Sequence, residues 1–191
     1  ELRMLMKGMS VEVPDLMVTD ITAHSSRSVP GGLFLAYAGD HHHGLEFIDE
    51  ALAANVAAVA WEPSPQLARP EFPDTVVGIA VPGLREQIGT IADQFFAAPS
   101  AALNVTGITG TNGKTTTAWL VAQALKRLGC ASAYLGTLGY GIGSSLVPSA
   151  LTTPGCIAVH RRLRALVDAG ASEANMEVSS HGLHQGRVDG V

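Results

Sequence analysis

The chain has 191 residues, 47% of them hydrophobic and 15% charged, and it carries a net charge of −5. This length and apolar content suffice for one large domain or two small ones. The lack of a basic cluster argues against a nucleic-acid partner. No apolar run reaches membrane-spanning length, and the N-terminal residues lack the features of a signal peptide. Cys130 and Cys156 show no disulfide-framework spacing, so we expect a cytoplasmic protein that does not insert into a membrane.

The first half of the chain predicts a mixed α/β domain. Short apolar runs predict strands at residues 16–21, 33–37, 56–61 and 76–81. Leu45, Ile48 and Leu52 recur at helical spacing between the second and third of these strands, and residues 84–96 predict a further helix. A stretch of small residues around Pro99 follows. We take it as the boundary between a domain over residues 1–98 and another over residues 99–191.

The second half predicts the first part of a doubly wound parallel sheet. Strands are predicted at residues 103–109, 132–135 and 174–178, and helices at residues 116–128 and 157–167. The first helix should face the sheet through Leu120, Val121, Ala124, Leu125 and Leu128, and the second through Val159, Leu163, Leu166 and Val167. Right-handed crossovers between such strands give a parallel sheet, and its ligands bind at the carboxyl ends of the strands.

A glycine-rich segment joins the first of these strands to its helix. Residues 107–116 read GITGTNGKTT and are called the phosphate loop below. Its glycines allow backbone N–H groups to surround phosphate oxygens, Lys114 can neutralise β- and γ-phosphate charge, and the Thr115 hydroxyl can ligate Mg²⁺. A turn that only starts a helix is the alternative, but Gly-x-x-Gly-Lys-Thr is expected in roughly one of several hundred chains of this length. We therefore predict that the chain binds a nucleoside triphosphate, although Ile108 stands where the usual pattern has glycine.

A carboxylate lies at the carboxyl end of the last predicted strand. Glu177 lies at the same edge of the sheet as the phosphate loop, where it can ligate a nucleotide-bound Mg²⁺ or order its waters. On position alone, an acid that faces water is equally expected, but the polar residues 179–181 favour a function. Gln185 and Arg187 follow near the same rim. Arg187 is expected either to pair with a substrate carboxylate or phosphate, or to be a solvated surface cation.

Three other polar segments are weaker candidates. Thr152 and Thr153 end a glycine- and serine-rich loop before the second helix, where hydroxyls either cap the helix or bind an anion. Residues 25–27, Ser-Ser-Arg, could hold a phosphate, but such triplets are common. The histidines at 41–43 are adjacent and cannot all turn towards one metal ion, so we interpret them as a solvated loop.

Residues 107–116 and 177–188 together resemble the Mur ligases, the ATP-dependent amide-forming enzymes of bacterial peptidoglycan precursor synthesis. The phosphate loop has that family's form, including Ile108. Residues 177–188, EVSSHGLHQGRV, are similar to the branch that adds the third amino acid to UDP-N-acetylmuramoyl-L-alanyl-D-glutamate. Residues 26–27 and 32–36 are similar to the family's uridine-binding N-terminal domain, so the resemblance covers nearly the whole chain.

The resemblance implies roles for individual residues. The ATP-binding residues would be Gly110, Thr111, Asn112, Gly113, Lys114, Thr115 and Thr116. The muramoyl-peptide would be held by Thr152, Thr153, Ser179, Gln185 and Arg187, and its UDP end by His24, Ser26, Asp40, His41 and His42. Thr115 and Glu177 would ligate Mg²⁺, and Lys114 and Glu177 would act in catalysis.

The resemblance also implies a reaction. ATP would phosphorylate the D-glutamate side-chain carboxylate, and the amine of meso-diaminopimelate or L-lysine would then displace phosphate to form the amide. The family's carbamylated lysine, a further metal-binding histidine and the C-terminal domain would lie beyond Val191. We therefore expect the 191 residues of this chain to be inactive by themselves. The enzyme would act as a monomer. A folylpolyglutamate synthetase-like ligase and a nucleotide-binding fragment without turnover are the alternatives.

Overall fold

The computed structural model describes residues 1–9 and 11–191. The chain forms two compact units, Glu1–Ile91 and Ala92–Val191, and each contains a four-stranded sheet. The α/β fold predicted from the sequence, with a parallel sheet, is confirmed. The assignment of residues 1–98 and 99–191 to separate functional domains stays a prediction. In the part of the chain that the structure describes, no helix is long and apolar enough to cross a membrane.

The first unit is built on a parallel sheet. In chain order, the helices and strands that begin in it are α1 (Leu2–Leu5), β1 (Ile21–Thr22), β2 (Leu33–Ala36), α2 (Ile48–Ala53), β3 (Ala58–Trp61), β4 (Val77–Ala80) and α3 (Leu84–Phe95). The strands lie in the order β1-β2-β3-β4, and all neighbours are parallel. Every residue of β2 and β3 is buried, which explains why both strands are continuous apolar runs in the sequence.

The first predicted strand is wrong over most of its length, because β1 begins only at Ile21. The Leu16 carbonyl accepts the N–H of Leu2 at 2.7 Å, and the Thr19 N–H donates to the Gly31 carbonyl at 3.0 Å. Leu2 and Gly31 lie outside the strands, so these bonds do not form a ladder. The apolar run therefore forms hydrogen bonds to neighbouring segments without being a strand.

The second unit is the doubly wound part of the chain. In chain order its elements are β5 (Asn104–Ile108), α4 (Lys114–Arg127), β6 (Ser132–Gly136), β7 (Gly139–Ile142), α5 (Cys156–Asp168), β8 (Glu173–Glu177) and α6 (Ser180–His184). The strand order is β5-β8-β6-β7, with β7 antiparallel to β6 and the other neighbours parallel. Because β8 lies between β5 and β6, its carboxyl end lies between the phosphate loop and the end of β6.

Strand β7 is not predicted by the sequence pattern. Its residues read GYGI and belong to a glycine-rich segment. A side chain at Gly141 would place its Cβ 2.2 Å from the Ser145 carbonyl oxygen, because the following loop passes directly over the strand. Glycine thus marks a close backbone approach here rather than a break in the sheet.

The helices cover opposite faces of this sheet. On β6, Ala133 and Leu135 pack into the core beneath α5, whereas Tyr134 packs against α4. The buried residues of α5 include Val159, Leu163 and Leu166, as predicted.

The predicted inner face of α4 is wrong in part. The helix contacts the sheet through Ala118 and Ala122, which are buried against Tyr134, and Leu120 and Leu128 are 60% and 79% exposed. Alanine side chains allow the helix to lie close to the tyrosine ring. With this face inward, the helical period turns the two leucines away from the sheet.

Candidate nucleotide and substrate sites

The phosphate loop leads from the end of β5 into a helix of 14 residues. Gly110 and Gly113 have φ angles of 142° and 82°, which side chains rarely tolerate, so glycine is required for the path of the loop. Residues 109–113 are exposed. The free N–H groups and the dipole at the start of α4 make this loop a ready site for a phosphate group.

The two polar side chains at the start of α4 have different partners. The Lys114 ammonium donates to the Gly110 carbonyl at 2.6 Å and to the Thr111 carbonyl at 3.4 Å. An ammonium has three donors, so it can keep these contacts and still meet a phosphate oxygen. The Thr115 hydroxyl instead donates to Oε2 of Glu177 at 2.8 Å, which links the loop to the end of β8.

Glu177 is buried, with 2% of its surface exposed, and is therefore not a strand-end acid that faces water. Its Oε1 accepts from the Tyr134 hydroxyl and from the Thr137 N–H, the latter at 2.8 Å. The Thr137 hydroxyl donates to Oε2 at 3.3 Å. Burial, together with the hydrogen bond to Glu177, raises the pKa of Tyr134 well above its usual range, so the phenol stays a protonated donor.

The pair of Thr115 and Glu177 fits a magnesium site. Both offer hard oxygen atoms, and these atoms lie 2.8 Å apart beside the phosphate loop. Among the described residues, no group of three or more His, Cys, Asp or Glu side chains is placed to hold a metal. Mg²⁺ commonly takes one or two protein ligands and completes its shell with water and substrate phosphates, which matches this sparse set.

The candidate residues for the muramoyl-peptide surround the same end of β8. The buried Thr153 hydroxyl donates to the Glu177 carbonyl at 2.9 Å and accepts the Ser179 N–H at 3.0 Å. Arg187 donates to the Thr153 carbonyl at 2.7 Å and to the Gln185 side chain at 2.8 Å. Arg187 is therefore half-buried and bonded within the unit, which differs from a solvated surface cation.

The remaining candidates on this rim are hydroxyls. The Thr152 and Thr137 hydroxyls are 2.9 Å apart, which connects the loop before α5 to the Glu177 site. The Ser179 hydroxyl accepts the Gly182 N–H at 2.9 Å and so caps α6. The structure thus brings Thr152, Thr153, Ser179, Gln185 and Arg187 to one region next to Glu177.

The first unit has a cavity of about 450 Å³ at the ends of β1 and β2. Its lining includes His24, Ser26, His41 and His42, together with the aromatic rings of Phe34 and Tyr37. Burial, followed by the charge of Arg27, lowers the pKa of His24, so its ring is neutral near pH 7. An aromatic wall with polar groups is suited to a nucleoside.

Asp40 is not among the residues that line this cavity. Its carboxylate accepts from Arg85 at 2.9 Å, and the same guanidinium donates to the Ala38 carbonyl at 3.2 Å. From the other side, Glu62 accepts the Ala38 N–H at 3.1 Å. These contacts hold residues 38–44, here called the histidine loop, beside the cavity.

The predicted helix that starts near Leu45 begins with a 3-10 turn, Gly44–Phe47, that is capped from the histidine loop. The His43 side chain accepts the Leu45 N–H at 3.1 Å, and Glu46 accepts the His43 N–H at 2.7 Å. Glu46 also bonds Nδ1 of His42 at 3.0 Å. His42 and His43 therefore help to hold the loop and to cap this turn.

The sequence pattern does not predict four residues that contact the candidate sites: Tyr134, Thr137, Glu62 and Arg85. Thr137 directly follows β6, and its position after a strand at the ligand-binding edge is a usable signal. The other three contact residues far along the chain, and no local pattern shows this.

Comparison with known proteins gives the family. Residues 108–191 match the family model described as the Mur ligase middle domain. The UDP-N-acetylmuramoyl-L-alanyl-D-glutamate–2,6-diaminopimelate ligase of Xanthomonas campestris pv. campestris (strain 8004) is 46% identical over 177 residues, which cover 93% of this chain and 35% of that protein. The Pseudomonas aeruginosa ligase of the same name is 45% identical over 174 residues, which cover 91% of this chain and 35% of that protein.

A solved structure of a UDP-N-acetylmuramoyl-L-alanyl-D-glutamate–2,6-diaminopimelate ligase has the same fold. It aligns with a TM-score of 0.74 and 26% identity, and covers 96% of this chain and 36% of that one. The chain thus spans about a third of the length of these relatives. The resemblance seen in residues 107–116 and 177–188 is confirmed: the chain is similar to the Mur ligases over nearly its whole length, and its residues 108–191 match the Mur ligase middle domain.

Proposed function

We propose that the chain provides the uridine-binding domain and part of the ATP-binding domain of a Mur ligase that extends UDP-N-acetylmuramoyl-L-alanyl-D-glutamate by one amino acid. The observation that carries this proposal is the 2.8 Å contact between Thr115 and Glu177 beside the phosphate loop. This contact joins the start of α4, where phosphate is proposed to bind, to a buried carboxylate that can hold the Mg²⁺ ion of bound ATP.

The chemistry begins with a poor electrophile, because a carboxylate does not react with amines. An oxygen of the D-glutamate side chain bonds to the γ-phosphorus of ATP, and ADP leaves. The amine then attacks the carbonyl carbon, phosphate leaves with the bonding electrons, and the amine loses a proton. Lys114 and the N–H groups of residues 110–116 would hold the transferring phosphoryl group. A Mg²⁺ ion held by Thr115 and Glu177 would supply positive charge at the phosphates.

Residues of each unit would contact a different end of the substrate. Thr152, Thr153, Ser179, Gln185 and Arg187 would hold the peptide end, with Arg187 oriented by Thr153 and Gln185. The cavity of the first unit would hold the UDP end through His24, Ser26, His41 and His42, with Asp40 acting through Arg85.

The amino acid added is proposed to be meso-diaminopimelate rather than L-lysine, because the relatives at 45% and 46% identity are named for 2,6-diaminopimelate. The same names disfavour a folylpolyglutamate synthetase. We further propose a cytoplasmic, monomeric enzyme. The 191 residues alone should bind ligands without forming the amide, because they correspond to only 35% of the related ligases.

Ligand-dependent thermal stability of the chain tests this proposal. UDP-N-acetylmuramoyl-L-alanyl-D-glutamate and Mg²⁺-ATP should each raise the melting temperature in a concentration-dependent way. Tetrahydrofolate, the substrate class of the alternative ligase, should have no effect. Stabilisation by the folate but not by the UDP-linked substrate would reject the proposal. Mass spectrometry of the mixture with diaminopimelate would show whether any tripeptide forms, and tripeptide at enzymatic rates would refute the expected lack of turnover.

A further inference from the structure

Tyr134 is a fully packed side chain that touches Glu177 and has no role in the chemistry above. It is 1% exposed and lies against Ala118 and Ala122 of α4. The ring of Trp119 meets it edge-on, with the centroids 5.5 Å apart. Packing on these sides prevents the phenol from swinging, so its hydroxyl is a donor in a fixed position.

The two oxygens of Glu177 have different kinds of partner. Oε1 accepts from the Tyr134 phenol and from the main-chain N–H of Thr137. Oε2 accepts from the hydroxyls of Thr115 and Thr137, at 2.8 and 3.3 Å. The N–H and the packed phenol cannot turn away, whereas threonine hydroxyls rotate about their C–O bonds. Oε1 is therefore anchored, and Oε2 is the oxygen whose partners can give way to a cation.

Gly136 is a second sign that the carboxylate is held in one place. A Cβ at this position would lie 2.1 Å from Oε1 of Glu177 and 2.5 Å from the Tyr134 hydroxyl oxygen. The carboxylate and the phenol thus occupy the space that any side chain at position 136 would need. Only glycine allows β6 to approach Glu177 this closely.

We propose that Tyr134 is a positioning residue of the cation site, which anchors Oε1 of Glu177 over Gly136 so that Oε2 faces Thr115. This inference rests on the proposed function, because the cation accompanies the nucleotide. The competing explanation is a core tyrosine whose hydroxyl merely needs a partner. That explanation predicts a loss of stability on removal of the hydroxyl but no change in metal dependence.

The test compares the affinity of the chain for ATP in Mg²⁺ with its affinity in EDTA, by titration calorimetry. Tyr134→Phe should weaken Mg²⁺-ATP binding roughly three- to tenfold, because one anchoring hydrogen bond is lost, and should change metal-free binding less than about twofold. Gly136→Ala should act in the same direction by displacing the carboxylate. Tyr140→Phe is the matched control: Tyr140 lies on β7, half-buried beneath Arg162, and should leave both affinities unchanged.

The variant Glu177→Gln distinguishes an error in the role of Tyr134 from an error in the proposed cation site. If Glu177→Gln loses the Mg²⁺ enhancement and Tyr134→Phe keeps it in full, this inference is wrong and the proposed function stands. If the unaltered chain binds no nucleotide, or Glu177→Gln keeps the full enhancement, the proposed cation site fails and the inference fails with it. Circular dichroism identifies the folded variants. If either Tyr134→Phe or Gly136→Ala does not fold, the change in Mg²⁺-dependent ATP affinity of the other variant tests the inference.

Discussion

Removal of the Lys114 ammonium should weaken ATP binding without disturbing the fold. In the structure, Nζ is held by two carbonyls of its own loop, at 2.6 and 3.4 Å, and the loop is exposed. Lys114→Ala therefore removes a cation from the loop that is proposed to bind phosphate, and leaves the backbone N–H groups in place. A hydrogen bond to a charged group is worth about 1.5–3 kcal/mol, which corresponds to a roughly ten- to hundredfold loss of affinity.

Calorimetric titration with Mg²⁺-ATP measures this loss, and a melting curve checks that the variant is folded. Lys126→Ala is the matched control, because Lys126 lies in the last turn of the same helix, away from the loop. The loss caused by Lys114→Ala should shrink as salt is added, since exposed charges are screened. A variant that keeps its affinity within twofold at low salt would refute the role of Lys114 in phosphate binding.

Three further predictions concern other parts of the chain. Arg85→Ala removes the guanidinium contacts to Asp40 and to the Ala38 carbonyl of the histidine loop and should weaken UDP binding roughly three- to tenfold by calorimetry, with little loss of stability because the ion pair is exposed. Gly44→Ala places a Cβ 2.6 Å from the Cα of Ala36 and should lower the free energy of unfolding by about 1–3 kcal/mol in urea melts. Burial is the larger cause and the nearby Asp189 charge the smaller cause that raise the pKa of the Cys156 thiol to about 12. Iodoacetamide should therefore label this thiol slowly at pH 8, and the rate should rise about tenfold with each added pH unit as thiolate forms.

Each of these predictions has an internal comparison. Arg69→Ala removes an exposed arginine of the same unit and should leave UDP affinity unchanged; an equal loss in both variants would contradict the role of Arg85. Gly155→Ala introduces a Cβ that meets nothing within 4 Å, so a similar destabilisation there would show that the close approach at Gly44 is not the cause. Cys156 should react quickly once the chain is unfolded in urea, and equally fast labelling of the folded chain would contradict the raised pKa of this thiol.

The phosphate loop could be predicted because all of its functional groups are adjacent in sequence. Glycine conformation, the Lys114 ammonium and the start of α4 are local properties that residues 107–116 carry by themselves. The partners of Glu177 could not be predicted in the same way. Tyr134 reaches Glu177 only because β8 lies next to β6, and this strand order is set by packing across the whole unit.

The errors in the fold have a similar origin. The sequence pattern predicts an inner face of α4 that includes Leu120 and Leu128 and leaves out Ala118 and Ala122. The structure shows the opposite for these four residues, because small side chains allow the helix to pack close to the Tyr134 ring. Strand β7 is not predicted because its glycines look like a turn signal in the sequence. They are needed because the following loop passes directly over the strand, and the sequence of the strand alone does not show this contact.

We propose above all that this chain binds Mg²⁺-ATP through the phosphate loop, Thr115 and Glu177. A crystal structure of the chain with Mg²⁺ and a non-hydrolysable ATP analogue tests it most directly. The account predicts phosphate oxygens on the N–H groups of residues 110–116, and Mg²⁺ at about 2.0–2.1 Å from the Thr115 hydroxyl and Oε2 of Glu177. A nucleotide bound elsewhere, or a cation that does not contact Glu177, would contradict it.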